Sequence, residues 1–276
     1  MIADATGCGR RRAREWILSG RVTVDGHVHR AADRPRPGAE ILVPADDGPG
    51  ATECDEGVVV LVDEGDRIVL SKPAGLHCER GRSEGSVAAF LEHRHGDAGT
   101  IGDRAEEAGL VHRIDRDTSG VVIAARTREE YLRLRSEFSR GEAEKHYLAI
   151  VVGRLDDALE IDTPLARRAR GVVVAGRHDE ALAAFTDVVP LEQGDDWTLV
   201  LAAMRTGVTH QIRAHLASVG HPLVGDIVYG GPVLDGCPRK GQLLHALRVK
   251  IPSSKIDVSA AVPSDFLAGL AQLRKG

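Results

Sequence analysis

The chain has 276 residues, of which 42% are hydrophobic and 28% are charged, and its formal net charge is −5. This composition is typical of an ordinary soluble globular protein, and the chain is long enough for one large domain and a small one. No apolar run approaches the length of a membrane span, and the N-terminus has no apolar signal segment, so we expect a cytoplasmic protein. The four cysteines lie far apart without a CxxC pair, which argues against a disulfide framework and a zinc site.

Charge is unevenly distributed near the beginning of the chain. Residues 1–44 contain eight Arg and five acidic residues, whereas residues 45–66 contain eight acidic residues and no Lys or Arg. The stretch 45–57 combines Gly, Pro and acidic residues without apolar periodicity, so we predict a linker between two domains there. The basic segment before it favours a nucleic-acid partner. Phosphate contacts are expected from the arginines of the first predicted helix, Arg10, Arg11, Arg12 and Arg14.

Short elements are predicted before the linker. A helix is expected over 10–18, with Gly20 just past its end. The alternating run RVTVDGHVH surrounds Asp25-Gly26, a dipeptide typical of two-residue hairpin turns. A further strand, AEILVP, follows Pro37-Gly38. The pattern predicts a small α+β module.

Strands and helices alternate irregularly after the linker. Strands are predicted within 58–75, 120–125, 145–153 and 197–203. A helix over 127–141 begins with a capping box of Thr127 and Glu130. A second helix within 209–222 is expected to bury Ile212, Leu216 and Val219 and to end at Gly220. Without a regular βαβ order, these elements favour a mostly antiparallel sheet with packed helices.

Two aspartates stand in one short loop, HRIDRDTSG at 112–120. The DTSG tail matches the loop of aspartic proteases, but those enzymes pair two such loops and this chain has one. Ser119, His112 and Asp115 crowd a single loop, unlike the separated members of a hydrolase triad. The chain also lacks GxGxxG and P-loop motifs, which argues against a nucleotide cofactor.

The surroundings of Asp115 suggest a different chemistry. A buried carboxylate stays ionised when a cation lies close, and Arg213 on a predicted helix would suit that role. Tyr147, on a predicted strand, would add a phenol. A carboxylate, a phenol and a guanidinium suit covalent or electrostatic catalysis at an anomeric carbon, and the arginine-rich N-terminus makes a ribose a candidate. Spacing alone does not establish that the three residues converge.

Six stretches resemble the motifs of RluA-type RNA pseudouridine synthases, in family order. GLVHRIDRDTSGVVIAA (109–125) resembles their HRLDxxTSG catalytic motif, and TGVTHQIRAHLASVGHPLVGDIVYGG (206–231) resembles their TGRTHQIRxHxxxxGHPxxGDxxYG segment. Similar matches are IVLSKPAGL (68–76), KHYLAIVVG (145–153), LLHALRVKIP (243–252) and, for the S4 RNA-binding module, SGRVTVDGHVHRAADRPRPGAEILVP (19–44). The resemblance covers nearly the whole chain.

The resemblance implies an S4-like module at 1–44, a linker at 45–57 and a catalytic domain at 58–276. The implied fold is α+β: a mixed, mostly antiparallel sheet with packed helices behind the small α+β module. Asp115 corresponds to the essential aspartate, Tyr147 to the tyrosine that stacks on the target base, and Arg213 to the arginine that pairs with the aspartate. Further RNA contacts are expected from His112, Arg113 and His210, and neither a metal nor a cofactor is expected.

The implied activity is isomerisation of specific uridines to pseudouridine in structured RNA by a monomer that has no membrane contact. The expected substrate is 23S ribosomal RNA, with transfer RNA as the other candidate. Three features depart from the family pattern. Val208 replaces the usual arginine of TGRTHQ, His77-Cys78 replaces an apolar pair, and the first S4 helix lacks its Arg-Leu-Asp start. Val208 and the short S4 start motivate an alternative: an RNA-binding or ribosome-assembly factor with a weakened catalytic domain.

Overall fold

The computed structural model describes residues 57–80, 85–96, 100–167, 173–176 and 180–275, together with three short strands near the N-terminus. The chain divides into two compact units, Met1–Thr52 and Glu53–Gly276. The predicted helix over 10–18, with its four arginines, lies outside the described residues, as does the linker predicted at 45–57 except for its last residue. The proposed domain boundaries therefore stay a prediction.

The first unit contains a small antiparallel sheet. Strand β1 (Thr23–Val24) pairs with β2 (His27–Val28) on one side and with β3 (Ile41–Leu42) on the other. Val24 stands opposite His27, which confirms the predicted hairpin around residues 25–26. The strand predicted after Pro37-Gly38 is confirmed as β3.

A nine-stranded sheet forms the centre of the second unit, as far as the structure describes it. Its order is β4-β5-β6-β13-β7-β12-β11-β8, with β14 beside β13. Of these pairs only β6 and β13 are parallel, so the predicted mixed, mostly antiparallel sheet is confirmed. The strands are β4 (Val59–Glu64), β5 (Arg67–Lys72), β6 (Ser119–Ala125), β7 (Glu144–Val152), β8 (Leu159–Ile161), β11 (Thr186–Gln193), β12 (Trp197–Met204), β13 (Leu244–Ile251) and β14 (Ile256–Ser259). A separate hairpin joins β9 (Leu165–Arg167) and β10 (Val173–Ala175).

Four α-helices are described in the second unit: α1 (Val87–Arg94), α2 (Arg128–Ser139), α3 (Gln211–Ser218) and α4 (Ser264–Leu273). The predicted N-cap of α2 is confirmed, because the Thr127 hydroxyl accepts a hydrogen bond from the Glu130 amide at 3.3 Å. The Glu130 carboxylate does not complete the capping box; it accepts hydrogen bonds from Arg133 instead.

Helix α3 carries one of the predicted catalytic residues, Arg213. Ile212 and Leu216 are buried, as predicted, and Gly220 takes a left-handed conformation just past the helix end. The prediction that Val219 is buried was wrong, since 42% of this residue is exposed. Val219 caps the C-terminus of the helix and so no longer follows its apolar face.

The middle of the sheet is covered on both faces. Successive residues of β6 alternate between two apolar clusters: Val122 and Ala124 belong to one, and Val121 and Ile123 to the other. All seven residues of β6 are buried. The loop that contains Asp115 runs directly into this strand, so its C-terminal end is anchored in the best-packed part of the sheet.

Strand β6 approaches β13 more closely than a side chain would permit at Gly120. Gly120 pairs with Ala246 and has a φ of +117°. A Cβ atom at this position would lie 2.1 Å from the carbonyl oxygen of Ala246. Only glycine satisfies both the conformation and the contact.

Two histidines take part in this packing. His245 is fully buried on β13, with Nδ1 2.9 Å from the hydroxyl of Ser119, and burial lowers its pKa to about 4. His112 accepts a hydrogen bond from the Ile123 amide at 3.1 Å and stacks on the ring of Phe138. Burial, with the nearby charge of Lys145, lowers the pKa of His112 to about 3. Both imidazoles are therefore neutral in the folded protein near neutral pH.

Gly120→Ala is expected to lower the free energy of unfolding by about 3–5 kcal/mol, because the new methyl group adds a backbone clash to a strained φ. Gly65→Ala is the matched control: Gly65 also has a positive φ, of +57°, but no atom lies within 4 Å of its Cβ position. Backbone strain alone should cost the control about 1–2 kcal/mol. Denaturant unfolding of both variants measures the difference, and equal losses would contradict the steric argument.

Acidification is expected to destabilise the second unit through His112 and His245. The folded chain has a pKa of about 3 for His112 and about 4 for His245, whereas the ordinary histidine pKa is 6.5. At a pH between these values, the unfolded chain binds protons that the folded chain does not. The free energy of unfolding should therefore fall as the pH drops below about 6.5, by up to about 1.4 kcal/mol per pH unit for each histidine. Urea unfolding between about pH 7 and pH 5 tests this, and His112→Gln should remove one histidine's share of the slope. A slope unchanged by that substitution would contradict the assignment.

Candidate active site

Asp115 begins a tight turn before β6. The Thr118 amide donates a hydrogen bond to the Asp115 carbonyl at 3.1 Å. The next carbonyl, of Arg116, accepts hydrogen bonds from the Gly75 amide at 3.0 Å and from the Lys72 ammonium at 2.8 Å. These contacts fix the backbone on both sides of the aspartate, so the carboxylate has a defined position.

A chain of three charged side chains starts at this carboxylate. Nη1 of Arg213 donates to Oδ2 of Asp115 at 2.9 Å. Nε and Nη2 of the same arginine donate to the two oxygens of Asp226, at 2.6 and 2.8 Å. Side-chain exposure falls along the chain, from 23% for Asp115 to 7% for Arg213 and 1% for Asp226. Asp115 is therefore the end of the chain that solvent or a substrate reaches.

The guanidinium is held firmly in its charged form. Burial opposes that charge, but the hydrogen bonds and negative charges of Asp226 and Asp115 outweigh it and raise the pKa of Arg213 above its ordinary value. The bidentate contact with Asp226 also fixes the plane of the fork. One edge of Arg213 is thus committed to Asp226, and the remaining Nη1 points at Asp115.

His210 and Tyr229 border the same carboxylate. His210 directly precedes α3 in a left-handed conformation, and its Nε2 lies 3.8 Å from Oδ1 of Asp115. Its Nδ1 lies 3.0 Å from the Tyr229 hydroxyl, and the Tyr229 ring stacks beside Arg213 with 5.0 Å between the guanidinium carbon and the ring centre. Burial lowers the pKa of His210, which favours the neutral imidazole. The structure thus brings His210 to Asp115, whereas the motif suggested only a general RNA contact.

Tyr147 lies on β7 between Ala202 of β12 and Ala246 of β13. Tyr147 is 5% exposed and belongs to the same apolar cluster as Ile114 and Ile212. Ile114 directly precedes Asp115, and Ile212 directly precedes Arg213. Burial, followed by the negative charge of Asp115, raises the pKa of Tyr147 above its ordinary value. The phenol is therefore protonated near neutral pH.

The second aspartate of the loop has different surroundings. Asp117 is partly exposed, and its carboxylate lies 3.9 Å from Nε of Arg116. Its Cβ packs against Gly241, where an added Cβ atom would come within 2.6 Å. Asp117 borders a cavity of about 730 Å³ whose wall also includes Arg213 and Asp226. The geometry therefore separates the two carboxylates: Asp115 contacts the buried arginine, and Asp117 faces the cavity.

The other predicted RNA contacts lie away from the Asp115–Arg213 pair or outside the described residues. His112 is engaged with Ile123 and Phe138, as described above. Arg113 is exposed and donates two hydrogen bonds to Glu79, both at 2.7 Å. Arg10, Arg11, Arg12 and Arg14 are not among the described residues. RNA binding by these six residues stays a prediction.

Val208, which departs from the family motif, has a packing role. It lies against a small apolar cluster formed by Leu165, Ala184 and Ala214, which Tyr229 also joins. Its amide donates to the Gln211 side chain at 3.1 Å, just before α3. Valine at this position therefore supports the start of the helix that carries Arg213.

Two buried groups beside the loop were missed by sequence reasoning, although both lie in or next to the quoted KPAGL motif. Lys72 is fully buried and donates to three carbonyls, of Pro73, Leu76 and Arg116, each at 2.8 Å. Burial lowers its pKa to about 8. The Cys78 thiol lies 3.3 Å from the Ile114 carbonyl, and burial raises its pKa. Asp226 and Tyr229 were within the quoted GDxxYG motif but were given no role.

Within the described ranges, no group of three or more His, Cys, Asp or Glu side chains is arranged to hold a metal ion. None of the helices in that part of the chain is both long enough and apolar enough to cross a membrane.

Comparison with known proteins gives this geometry a family. Residues 66–218 match the family model of RNA pseudouridylate synthases, and residues 2–41 match the S4 domain. The ribosomal large subunit pseudouridine synthase D of Pseudomonas aeruginosa is 33% identical over 96% of this chain and 88% of its own length. The protein of the same name from Escherichia coli strain K12 is 31% identical, over 96% of this chain and 86% of its own length.

A solved structure supports the fold independently. Human RNA Pseudouridylate Synthase Domain Containing 4 aligns with a TM-score of 0.64 and 24% identity, covering 78% of this chain and 92% of the human one. The family model covers more than half of the chain, and the two bacterial relatives align with nearly all of it at above 30% identity. This chain belongs to the RNA pseudouridylate synthase family.

Proposed function

We propose that this protein isomerises uridines of large-subunit ribosomal RNA to pseudouridine and that Asp115 is the carboxylate acting at the ribose. The observation that supports the assignment best is the hydrogen bond from Arg213 to Asp115, because this buried arginine also makes two hydrogen bonds to Asp226. Asp115 is the accessible end of this chain of charges. The choice of ribosomal RNA follows the names of the bacterial relatives. Transfer RNA is the other RNA class to test.

Asp115 has the cationic partner and the access that the reaction requires. Arg213 stabilises the carboxylate through Oδ2, while Oδ1 faces the half-exposed side of the site near His210. The target uridine leaves its stack so that its ribose reaches this oxygen. Two routes fit this position: attack of the carboxylate on C1′, or removal of the C2′ proton. Either route breaks the bond between C1′ and N1, after which the uracil turns and C5 bonds to C1′. In the first route this step breaks the ester bond between Asp115 and C1′, and in the second route C2′ regains a proton. C5 then loses its proton and N1 gains one, so the product is an isomer of uridine.

Arg213 and Tyr147 complete the reacting group. Arg213 donates to one oxygen of Asp115 and leaves the other free of the guanidinium, because Asp226 occupies the forked edge. Tyr147 supplies a flat, protonated phenol for stacking on the target base. His210 borders the opposite side of the carboxylate as a neutral imidazole that can contact RNA by hydrogen bonding.

RNA binding outside the reacting group is assigned to the N-terminal module at 1–44 and to the exposed Arg113. The S4 match over 2–41 supports this assignment, and it includes Arg10, Arg11, Arg12 and Arg14. Arginines recognise RNA mainly through phosphates, so these contacts provide affinity without sequence specificity. The module, the linker at 45–57 and the catalytic domain at 58–276 act together as a cytoplasmic monomer.

Asp115→Asn is expected to abolish pseudouridine formation while RNA affinity stays within about twofold of wild type, because the amide keeps the shape of the side chain but loses its charge. Asp117→Asn, the matched control in the same turn, should keep most of the activity. The assay incubates protein with a large-subunit ribosomal RNA transcript and detects pseudouridine by carbodiimide labelling, with a transfer RNA transcript in parallel. An inactive wild-type protein that still binds the RNA would favour the assembly-factor alternative.

Arg213→Ala is expected to reduce both stability and turnover. Removing the cation leaves the buried Asp226 without its partner, at a cost of about 3–5 kcal/mol in the free energy of unfolding. Arg213→Lys keeps the charge but not the fork, so it should give a folded enzyme with slow turnover. Arg248→Ala is the control, since Arg248 and its partner Asp257 form an exposed pair. Denaturant unfolding and single-turnover assays measure both effects, and wild-type behaviour of Arg213→Ala would refute the role of the pair.

A further inference from the structure

The turn that begins at Asp115 is backed by one later stretch of chain, residues 239–246, which we call the closing segment. Gly241 packs on Asp117, and the Gln242 side chain donates to the Thr118 hydroxyl at 3.1 Å. Gly120 pairs with Ala246 at the start of β13. The closing segment therefore contacts the end of the turn and the start of β6, at Asp117, Thr118 and Gly120.

Ser119 receives the most specific of these contacts. Nη2 of Arg239 donates to the Ser119 hydroxyl at 2.8 Å. Because this hydroxyl accepts from Arg239, its own proton is available to Nδ1 of His245, 2.9 Å away. The low pKa of His245 keeps that nitrogen available as an acceptor. Ser119 is thus fixed from two sides by groups of the closing segment.

The Arg239 side chain is closed off from solvent. It is 0% exposed, and its guanidinium also donates to the Leu244 carbonyl at 3.0 Å and to both oxygens of Asp265, each at 3.0 Å. Asp265 lies in the first turn of α4. Arg239 therefore joins three elements: helix α4 and the first residues of strands β13 and β6.

Stability alone is a weak explanation for this arrangement. A buried ion pair contributes little net stability, since desolvation of its charges offsets their attraction. Another arginine, on β13 itself, shows the contrast: Arg248 forms a forked pair with Asp257 and has no hydrogen bond to the turn. Arg239 differs because it donates to Ser119 in addition to pairing with Asp265. Ser119 lies four residues after Asp115.

We infer that Arg239 is a positioning residue for the carboxylate of Asp115 and that it acts through Ser119. The inference rests on the proposed role of Asp115. The Thr118 amide binds the Asp115 carbonyl, so a shift of residues 118–119 moves the aspartate as well. Misplacing a reacting group by about 1 Å can reduce a rate about 100-fold. Arg239 and Gln242 together prevent that shift.

The test compares Arg239→Met with Arg248→Met, the same substitution in a forked pair away from the turn. Arg239→Met is expected to slow the single-turnover rate about tenfold or more, while RNA affinity stays within about twofold. Arg248→Met should keep the wild-type rate. Ser119→Ala should slow the reaction as well, and the double variant Arg239→Met/Ser119→Ala should be no slower than the slower single variant, because both substitutions break the same contact.

A readout independent of activity separates this inference from the proposed function. Amide hydrogen exchange in the peptide covering residues 112–120 should accelerate in Arg239→Met and stay unchanged in Arg248→Met. Wild-type exchange and wild-type turnover in a folded Arg239→Met variant would overturn the inference. If Arg239→Met does not fold, Ser119→Ala decides by the same two measurements. A wild-type protein that makes no pseudouridine would refute the proposed function, while the exchange data would still judge the positioning role.

Discussion

The placement of one cation between two carboxylates, Asp115–Arg213–Asp226, is the constraint on which the site depends. A buried guanidinium needs compensating charge, and Asp226 supplies it through a forked contact while leaving a single N–H for Asp115. The three residues come from the turn before β6, from helix α3 and from the loop after it. Their ionic contacts are satisfied only when those elements are in register, so the charge chain links the correct fold to the position of the Asp115 carboxylate.

The rest of the second unit serves to hold that register. The turn is fixed on one side by Lys72, through the Arg116 carbonyl, and on the other by the closing segment, through Thr118 and Ser119. The first support lies on β5 and the second on the segment that leads into β13, and β5 and β13 are the two neighbours of β6 in the sheet. The accuracy of the site therefore derives from the packed centre of the sheet and does not depend on an exposed loop.

The sequence predicted the sheet type, the principal strands and the pairing of Asp115 with Arg213, because these leave periodic apolar patterns or belong to a recognisable motif. It did not assign Asp226, since a single aspartate in a loop carries no sign of whether it is buried. His112 was expected to contact RNA, but its hydrogen bond to Ile123 depends on a tertiary approach that no local pattern encodes. Arg239 escaped notice for the same reason: it lies in a polar stretch, PRKGQ, whose burial follows from the strand that comes after it.

The parallel pairing of β6 with β13 has a consequence for synthesis of the protein on the ribosome. His245 and Ser119, which face each other in this pairing, are 126 residues apart along the chain. A nascent chain that has emerged only as far as α3 already contains Asp115, Tyr147 and Arg213, but it lacks both Asp226 and the closing segment. Contacts of such long range form late and slowly. An unfinished chain therefore carries the residues proposed to react without the framework that aligns them, and we expect activity only after the closing segment has been translated.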